Sequence, residues 1–286
     1  MAELASLARL VHVAAVLAPR AWDFRRDRPG AGARLAEALK GLGPATIKLG
    51  QMLATRPDIV GEETALSLAH LQDRLAPFPL SAARAGIAKS FGRPVEEVFS
   101  SFGNAVAAAS VAQVHHATTS DGVEAAVKVL RPKIRTLFAR DLKAFFLLAR
   151  LAERLSSEAR RLRLIAMVEA LSEMVAIELD LRMEAAAASE LYERTRADPE
   201  FRVPHVDWAR TSANVLTSEW IDGTPIRDAS ALLKAGHDPR RVALILVRSF
   251  LTQALRDGFF HADMHPGNLF LDKAGRLVAV DFGIMG

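Results

Sequence analysis

An acid, an amide and a second acid near the end of the chain have a spacing that is typical of phosphoryl transfer. Asp263 and Asn268 stand five residues apart in the segment HADMHPGN, and Asp281 opens the segment DFG. Phosphoryl transfer needs oxygen ligands for Mg²⁺ and an acid that orients the attacking hydroxyl or water. The order of an Asp, an Asn and then DFG is the pattern of a kinase catalytic loop. It predicts that Asp263 orients the nucleophile and that Asn268 and Asp281 hold the metal.

A lysine within a valine-rich segment predicts a second part of the same site. Lys128 lies in AAVKVL, and a lysine in a buried strand is costly unless it is paired. Phosphates and a helix glutamate are the expected partners. Glu178, Asp180 and Glu184 lie in VAIELDLRME. Asp180 and Glu184, four residues apart, can share a helix face, whereas Glu178 and Glu184 cannot. From these residues alone, a solvated acidic face is an equally good interpretation.

The histidines do not indicate a metal site. His261 and His265 flank Asp263, and we expect them to shape the loop rather than to catalyse. The other histidines considered have no metal-ligand spacing with acids, and we interpret them as surface or core residues: His115, His116, His205 and His237.

Composition limits the classes of function. The chain has 286 residues, 50% of them hydrophobic, a net charge of +4 and no cysteine. The absence of cysteine excludes disulfides, thiolate metal sites and a cysteine nucleophile. The small positive charge does not predict a nucleic-acid partner, but it is compatible with an anionic ligand or an anionic membrane surface. The apolar run 10–19 is shorter than the roughly 20 residues that span a bilayer. The amphipathic segment 6–26 either lies on an anionic surface or packs on the core.

Periodicity and turn residues predict helices and strands in a mixed order. Residues 1–100 are predicted to be almost wholly helical. Residues 104–132 alternate like strands around a turn at Asp121-Gly122, which predicts a β-hairpin. The remaining predictions are a helix over 134–194, strands in FRVPHVDWA and ANVLTSEWI, a helix over 229–258 that is capped by Asp228 or Ser230, and two short strands around the turn KAG.

Four segments together resemble a known family. KLGQ matches a KxGQ signature at Lys48, Gly50 and Gln51, AAASVAQVH (107–115) matches an alanine-rich loop, and ELD matches an ExD motif. HADMHPGN is similar to HADPHPGN, with Met264 in place of proline. From about residue 40 to the end, the chain resembles the UbiB-type atypical kinases of coenzyme Q (ubiquinone) biosynthesis.

The resemblance implies an α+β, protein-kinase-like two-lobed fold. A helical extension over 1–100 would carry KxGQ, an N-lobe would occupy 101–222, and a partial C-lobe would occupy 223–286. Because the chain stops soon after DFG, we expect an incomplete C-lobe, a fragment of a longer protein, and an exposed apolar surface over 243–255.

The resemblance also implies roles for further residues. Glu184, rather than Glu178, would pair with Lys128, and the extension would pack over the cleft with Lys48 and Gln51 pointing at the site and Lys48 pairing the ExD acids. Adenine would be held by backbone groups at Glu219 and Ile221. The alanine-rich loop would grip the nucleotide differently from a glycine loop, because alanine restricts the backbone; its residues are Ala107, Ala108, Ala109, Ser110 and Val111.

The implied function is that of an atypical kinase or ATPase that binds ATP or ADP with Mg²⁺ and supports ubiquinone biosynthesis. The phosphoryl acceptor would be water, a lipid-like molecule such as a quinone precursor, or the protein itself. The implied partners include ubiquinone-biosynthesis proteins, and the implied location is cytoplasmic and peripheral to the inner membrane. Two alternatives remain: a small-molecule phosphotransferase of the aminoglycoside or choline kinase type, and a nucleotide-gated scaffold without turnover.

Overall fold

The computed structural model describes residues 30–71 and 75–286, together with residues 9, 11, 13, 15, 16 and 19. The apolar run 10–19 and the amphipathic segment 6–26 therefore lie largely outside the described residues.

Helices dominate the described residues, and eight strands lie between them. In chain order the helices are α1 (Ala31–Leu42), α2 (Pro44–Ala54), α3 (Pro57–Val60), α4 (Glu62–Ala69), α5 (Leu80–Phe91), α6 (Val95–Val98), α7 (Ile134–Leu155), α8 (Ser157–Leu162), α9 (Leu164–Glu178), α10 (Leu181–Thr195), α11 (Ala229–Lys234) and α12 (Pro239–Thr252). The strands are β1 (Phe99–Ala108), β2 (Ala112–Thr119), β3 (Glu124–Leu130), β4 (Phe201–Arg202), β5 (Val215–Glu219), β6 (Gly223–Pro225), β7 (Leu269–Asp272) and β8 (Leu277–Ala279). A short 3-10 helix covers Trp208–Arg210, and a π-helix covers Gln253–Asp257.

These elements belong to two compact units. The first contains the described residues up to Ala76, together with Ala109–Val111 and Lys133–Ala176. The second contains Pro77–Ala108, Ala112–Pro132 and Ile177–Gly286. The domain boundaries expected from the sequence, at 100/101 and 222/223, stay a prediction.

The first unit is built of helices around a leucine-rich core. Leu39 of α1 and Leu68 of α4 are buried at its centre. The two helices approach closely at Gly32, where an added Cβ would lie only 2.9 Å from the Cα of Thr64. On α7 the buried carboxylate of Asp141 accepts two hydrogen bonds from Arg9, at 2.9 and 2.8 Å, so its charge is not left unpaired.

The second unit contains a four-stranded antiparallel sheet in the order β1-β2-β3-β5. Side chains of a strand alternate between the two faces of a sheet. In β3, Ala125, Val127 and Val129 are buried in a core that includes Ile87 of α5. Lys128 therefore points to the opposite face, where it stands between its strand neighbours on β2 and β5.

The expected β-hairpin turn is confirmed. Gly122 has a φ of 87°, and its N–H donates to the carbonyl oxygen of Thr119 at 3.0 Å. Asp-Gly favours such a turn because glycine adopts positive φ without strain. The predicted hairpin region in fact holds parts of three strands, since β1 continues back to Phe99.

A second, smaller sheet has the order β4-β8-β7-β6. Its central pair, β7 and β8, is antiparallel and is joined by a turn at Gly275, which has a φ of 80°. These are the two short strands that the sequence predicts around KAG. They stand between the segment HADMHPGN and Asp281.

Two stretches that the sequence predicts to be single long helices are in fact broken into shorter ones. The stretch 134–194 is four helices, because the chain breaks at Ser156, at Arg163 with a φ of 54°, and at Asp180. The stretch 229–258 is two helices and a π-helix. The caps explain these boundaries: Asp180 accepts from Arg182 N–H, and Asp228, as expected, accepts from Ala231 N–H. The mixture of helices with one antiparallel sheet and one mixed sheet, in which only β4 and β8 are parallel, confirms the α+β class.

Candidate nucleotide-binding and catalytic site

An ion-pair cluster lies on the face of β3 that is opposite the apolar core. Lys128 Nζ is 2.7 and 2.8 Å from the two carboxylate oxygens of Glu184, and 3.2 Å from Oδ1 of Asp281. The side chains of Lys128 and Glu184 are 18% and 10% exposed, whereas that of Asp281 is 49% exposed. The structure therefore places Glu184, and not Glu178, beside Lys128. The cost of burying the lysine is offset by two carboxylates.

The first turn of α10 holds Glu184 in this position. The helix begins after Asp180, whose carboxylate accepts from the backbone N–H of Arg182 at 3.1 Å and binds its guanidinium. Glu178 is the last residue of α9. Asp180 is the N-cap of α10 and Glu184 lies in its first turn, so the two acids stand at the same end of one helix.

Burial and charge shift the pKa values of the cluster in different directions. Burial alone would lower the pKa of Lys128, but the carboxylates of Asp281 and Glu184 raise it above the ordinary value. Burial raises the pKa of Glu184 against the effect of Lys128. The Lys128 ammonium lowers the pKa of Asp281. Because Asp281 is half exposed, water screens its attraction to Lys128 in part. Asp281 thus carries a negative charge that remains accessible from solvent.

The backbone at Asp281 adopts a left-handed conformation. Its φ is 73°, which is rare for a residue other than glycine and is strained. The next residue, Phe282, is buried and donates its N–H to Oε1 of Glu184 at 3.3 Å. Its ring meets that of His261 edge to face, with 5.4 Å between ring centroids. The DFG segment is therefore joined both to the ion-pair cluster and to the HADMHPGN loop.

Hydrogen bonds within the HADMHPGN loop bring Asp263 and Asn268 together. Asn268 Nδ2 donates to Oδ2 of Asp263 at 3.2 Å and to its carbonyl oxygen at 3.3 Å. His261 Nδ1 accepts the N–H of Asp263 at 3.1 Å, and His265 Nδ1 accepts the N–H of Gly267 at 2.9 Å. Both histidines thus shape the loop through its backbone, as the sequence suggests.

The loop is also tied to the segment around DFG. The N–H of Val280 donates to the carbonyl oxygen of Asn268 at 2.8 Å, and the N–H of Ala262 donates to that of Ile284 at 3.1 Å. Asn268 is therefore held next to the residue that precedes Asp281.

Oxygen atoms suited to Mg²⁺ are present at this place. Asn268 Nδ2 is engaged with Asp263, and the amide oxygen Oδ1 is the atom of this side chain that is able to bind a cation. Asp281 supplies an ionised, half-exposed carboxylate. One carboxylate and one amide fit Mg²⁺, which usually takes its other ligands from phosphates and water. Within the described ranges, no group of three His, Cys, Asp or Glu residues is arranged to hold a metal. The donor set therefore fits a cation that arrives with a phosphate.

The alanine-rich segment turns the chain from β1 to β2. Ala107 and Ala108 end β1, in register with Val114 and Gln113, and 109–111 form the connection. Positive φ occurs at no alanine of this segment. Ser110 is fully buried, and across the described part of the chain its hydroxyl has no hydrogen-bond partner. A loop of this kind has less backbone freedom than a glycine loop, as expected.

In the segment that is expected to bind adenine, some polar groups already form bonds within the protein. Glu219 pairs with Arg202 through its side chain, and its N–H donates to the carbonyl oxygen of His205 at 2.9 Å. At Ile221, by contrast, the backbone makes no backbone hydrogen bond to another described residue. The backbone of Ile221 is therefore open to a ligand, whereas the side chain and N–H of Glu219 are engaged.

The KxGQ residues lie on α2 in the first unit. Gln51 Nε2 donates to the carbonyl oxygen of Leu71 at 3.4 Å. A Cβ at Gly50 would lie 2.4 Å from Leu71 Cδ1 and 3.0 Å from Leu39 Cδ1, so Gly50 serves helix packing. The role that the resemblance implies for Lys48 stays a prediction.

The histidines set apart from the site have structural contacts. His115 is buried, its Nδ1 lies 2.9 Å from the carbonyl oxygen of Gly103, and its ring stacks on Phe102. His116 pairs with Glu124. His205 contacts the ring of Tyr192 edge to face.

Sequence reasoning missed two residues that support the loop. Phe282 is the apolar residue of the DFG segment, so its hydrophobic side chain is a signal from which burial could have been predicted. Gln253 is 1% exposed and accepts the N–H of His261 through Oε1 at 3.2 Å. The helical spacing of Ile245, Ser249 and Gln253 indicates that this side chain faces inward, but it does not indicate which group the side chain binds.

Comparison with known proteins shows what the chain is similar to. Residues 70–286 match the model of the ABC1 atypical kinase-like domain. A protein named "Probable protein kinase UbiB" from Marinobacter nauticus is 45% identical over 277 residues, which are 95% of this chain and 50% of that protein. The protein of the same name from Pseudomonas paraeruginosa is 44% identical over 260 residues, 89% of this chain and 49% of that protein. The chain thus spans about half the length of the curated relatives it matches.

One solved structure is also similar. The Rv3197–erythromycin complex from Mycobacterium tuberculosis is 33% identical, with a TM-score of 0.64 over 84% of this chain and 59% of that chain. Among the described helices, none is long and apolar enough to cross a bilayer. The family match covers most of the chain and includes every part of the ion-pair cluster and of the HADMHPGN loop, so the chain belongs to the ABC1 atypical kinase-like family.

Proposed function

We propose that this chain carries the ATP site of an Mg²⁺-dependent atypical kinase or ATPase. The observation that supports the proposal best is the cluster of Lys128, Glu184 and Asp281, in which a buried lysine is held between one buried and one half-exposed carboxylate. Such a lysine and glutamate, with the DFG aspartate, are the parts that kinase-like phosphoryl transfer requires.

Each residue has a distinct part in the proposed reaction. Lys128 neutralises phosphate charge, and Glu184 fixes the position of its ammonium. Asn268 and Asp281 bind the cation, which when present supplies charge neutralisation for the phosphates. Asp263 orients the attacking oxygen and takes its proton. The bond from the terminal phosphorus to its bridging oxygen breaks as the new bond to the acceptor oxygen forms, and ADP leaves.

The nucleotide base and the alanine-rich segment complete the proposed site. The carbonyl of Glu219 accepts a hydrogen bond from adenine. The backbone of Ile221 donates and accepts the others. The family resemblance assigns nucleotide binding to Ala107, Ala108, Ala109, Ser110 and Val111, and the buried hydroxyl of Ser110 has no hydrogen-bond partner among the described residues.

We further propose that the protein supports ubiquinone biosynthesis. Relatives at 44–45% identity carry the name UbiB, and KLGQ, AAASVAQVH and ELD are present together. The acceptor of the phosphoryl group is water, a quinone precursor or another lipid-like molecule, or the protein itself. The same loop in a small-molecule phosphotransferase would act on an aminoglycoside or choline.

Phosphate release tests the enzymatic proposal directly. We expect Mg²⁺-dependent release of phosphate from ATP, reduced by about 100-fold or more in Asp281→Asn, because a group that stabilises transition-state charge is removed. The matched control is Asp222→Asn, an exposed aspartate that pairs with Lys273 on the surface. Nucleotide-dependent shape change without release would support a scaffold instead. Formation of ADP that requires an aminoglycoside or choline, without release of inorganic phosphate, would support the small-molecule phosphotransferase.

Binding of ADP and ATP with Mg²⁺ tests the assignment of the nucleotide residues. Titrations on the wild type and on Lys48, Ala108 and Asp281 variants separate the KxGQ motif, the alanine-rich segment and the metal ligand. We expect Asp281→Asn to weaken the Mg²⁺-dependent part of binding only. Equal affinity with and without Mg²⁺ in the wild type would contradict a metal-assisted site.

We also propose that the protein attaches to an anionic membrane surface, in the cytoplasm and peripheral to the inner membrane. On α7, Lys143, Leu147, Arg150, Leu151 and Arg154 recur at spacings of three, four and one, so they form one exposed stripe, which we call the basic stripe. Leucines 147 and 151 are 53% and 54% exposed.

The charges of the basic stripe favour a lipid surface over a second copy of the chain. Along the described ranges, no carboxylate forms an ion pair with Lys143, Arg150 or Arg154. The acids of α7 are otherwise engaged, because Asp141 is buried and Glu153 accepts the N–H of Ile165. Interleaved cations and leucines suit an anionic bilayer interface, whereas two such stripes would repel each other.

Vesicle binding tests the basic stripe. We expect the protein to sediment with phosphatidylglycerol vesicles but not with phosphatidylcholine vesicles, and replacement of Lys143, Arg150 and Arg154 by Glu to abolish sedimentation. Glu replacement of three exposed cations elsewhere, Lys89, Arg93 and Lys234, changes the net charge equally and is the control. Equal loss in both triple variants would show that net charge, rather than this stripe, drives binding.

A further inference from the structure

Gln253 is a buried polar side chain beside the proposed catalytic loop. It opens the π-helix Gln253–Asp257 that follows α12, and it is 1% exposed. Burial of an amide costs free energy unless its polar atoms are hydrogen-bonded. A π-helical turn is rare and is often found at functional sites. A buried amide at the start of a π-helix therefore needs an explanation in terms of the neighbouring loop.

The orientation of the amide follows from its single bond. Its Oε1 lies 3.2 Å from the backbone nitrogen of His261. Since a backbone N–H can only donate, the oxygen of the amide, and not its nitrogen, must face His261. In the described part of the chain, Nε2 of Gln253 has no acceptor. The side chain is thus buried with one polar atom unsatisfied and the other bound to the loop.

A chain of hydrogen bonds leads from Gln253 to Asp263. The imidazole of His261 is fully buried and accepts the N–H of Asp263 on Nδ1 at 3.1 Å. Asp263 in turn is bound by Asn268. Gln253 does not contact the carboxylate of Asp263, so its influence passes through the backbone and ring of His261.

The buried face of α12 places the glutamine where it can make this bond. Val242, Ile245 and Ser249 are buried on α12, and Gln253 follows Ser249 at the spacing of four that keeps residues on one helix face. A π-turn carries one more residue than an α-turn and shifts the residues that follow it around the axis. The π-helix therefore displaces residues after Gln253, such as the 82% exposed Leu255, and not Gln253 itself.

We propose that Gln253 is a positioning residue that holds the HADMHPGN loop, through His261, so that Asp263 faces the attacking oxygen. This inference rests on the proposed phosphoryl transfer. The buried face of α12 supplies the acceptor, and an Nε2 without a partner among the described residues is the cost of placing it there.

Two substitutions at Gln253 test the proposal. Gln253→Leu keeps the size of the side chain and removes the acceptor, whereas Gln253→Glu keeps an oxygen at the same reach. We expect the leucine variant to lose about tenfold in the rate constant for ATP turnover, the effect of one hydrogen bond, while its KM for ATP stays within about threefold. The glutamate variant should recover most of that rate. Leu255→Ala, in the same π-helix, should leave the rate unchanged.

Hydrogen exchange gives a readout that does not depend on turnover. The amides of His261 and Asp263 should exchange faster in Gln253→Leu and return towards the wild-type rate in Gln253→Glu. Unchanged exchange and turnover in the leucine variant would overturn the proposal. So would a loss of turnover accompanied by equal losses of nucleotide binding and thermal stability that glutamate does not restore.

The two proposals fail in different ways. If the wild type converts no ATP to ADP, the proposed function fails, and exchange at His261 and Asp263 alone then decides whether Gln253 holds the loop. If the wild type turns over ATP but the leucine variant does so equally well, only the role of Gln253 is wrong.

Discussion

At the scale of single residues, the site combines groups whose preferences conflict. Glu184 is buried, and burial raises its pKa, yet it is useful to Lys128 only when ionised. Asp281 keeps a lowered pKa because of Lys128, and it remains half exposed in a strained backbone conformation. An arrangement of this kind persists because each charge is neutralised by the next. Removal of one member therefore has consequences for the others.

Substitution of Lys128 alone should destabilise the fold more than substitution of both Lys128 and Glu184. Lys128→Met leaves the Glu184 carboxylate buried without its cation, which should lower the free energy of unfolding by about 3–5 kcal/mol. Addition of Glu184→Gln should restore much of this loss, since the neutral amide oxygen still accepts the N–H of Phe282. Urea unfolding of the two single variants and the double variant gives the comparison. Lys273→Met, at an exposed ion pair, should unfold like the wild type. Strictly additive losses at Lys128 and Glu184 would contradict the coupling.

Two buried histidines should make stability depend on pH. Burial lowers the pKa of His115 and of His261 below the usual 6.5. The unfolded chain then binds protons more readily than the folded chain. The free energy of unfolding should therefore be constant above about pH 7 and fall as the pH drops below 6.5, by up to about 1.4 kcal/mol per pH unit for each histidine.

Substitution at His115 separates its contribution to the pH dependence of stability from that of His261. The neutral ring that donates from Nδ1 to Gly103 and accepts from Gln113 on Nε2 satisfies both contacts. His115→Asn should flatten the fall in stability between pH 7 and pH 5, as measured by urea unfolding at each pH. Exposed His70 provides the control, because His70→Asn should leave the slope as it is. Equal slopes in all three proteins would refute the assignment.

At the scale of elements, local sequence signals were sufficient where the structure is local. The Asp121-Gly122 turn and the strands around KAG were predicted, since turn residues determine them directly. The Lys128–Glu184 contact joins residues 56 positions apart, and family resemblance rather than spacing pointed to it.

The prediction of two continuous helices was wrong for two physical reasons. At 236–239 the signals Gly, Asp and Pro were present and predict a boundary, but the apolar pattern on either side outweighed them. At Arg163, and at the π-helix after α12, tertiary packing sets the backbone, and no propensity indicates it. Helical spacing indicates that Gln253 faces inward, but no local signal indicates its hydrogen bond to the loop at His261.

Close packing between α1 and α4 predicts opposite effects for two glycines of one helix. At Gly32, an added Cβ would lie 2.9 Å from the Cα of Thr64, which is backbone and cannot move aside cheaply. At Gly41 an added Cβ meets nothing within 4 Å. Gly41→Ala should stabilise the protein by about 0.5–1 kcal/mol through helix propensity. Gly32→Ala should destabilise it in spite of the same propensity. Thermal unfolding of the two variants checks the signs, and stabilisation by both would show that α1 and α4 are not in such close contact.

At the scale of the whole molecule, large apolar side chains on α12 and the π-helix are open to solvent. Leu244, Val247, Leu251 and Leu255 recur at spacings of three and four, so they form one face, which we call the α12 patch; Leu244 and Leu255 are 65% and 82% exposed. This is the exposed surface that the sequence predicted over 243–255. A contiguous apolar face of this kind favours association.

The α12 patch should make this chain self-associate. We expect sedimentation velocity to show larger species as the concentration rises through the micromolar range. Leu244→Lys together with Leu251→Lys should disperse them, because two cations on the patch oppose its burial against apolar surface. The melting temperature should change little, since both leucines are already exposed. The control is Leu66→Lys, which places a lysine at a leucine 67% exposed on α4 and should leave association intact. A wild-type chain that sediments as a monomer at every concentration, or a double variant that associates as strongly as the wild type, would show that the patch does not drive assembly.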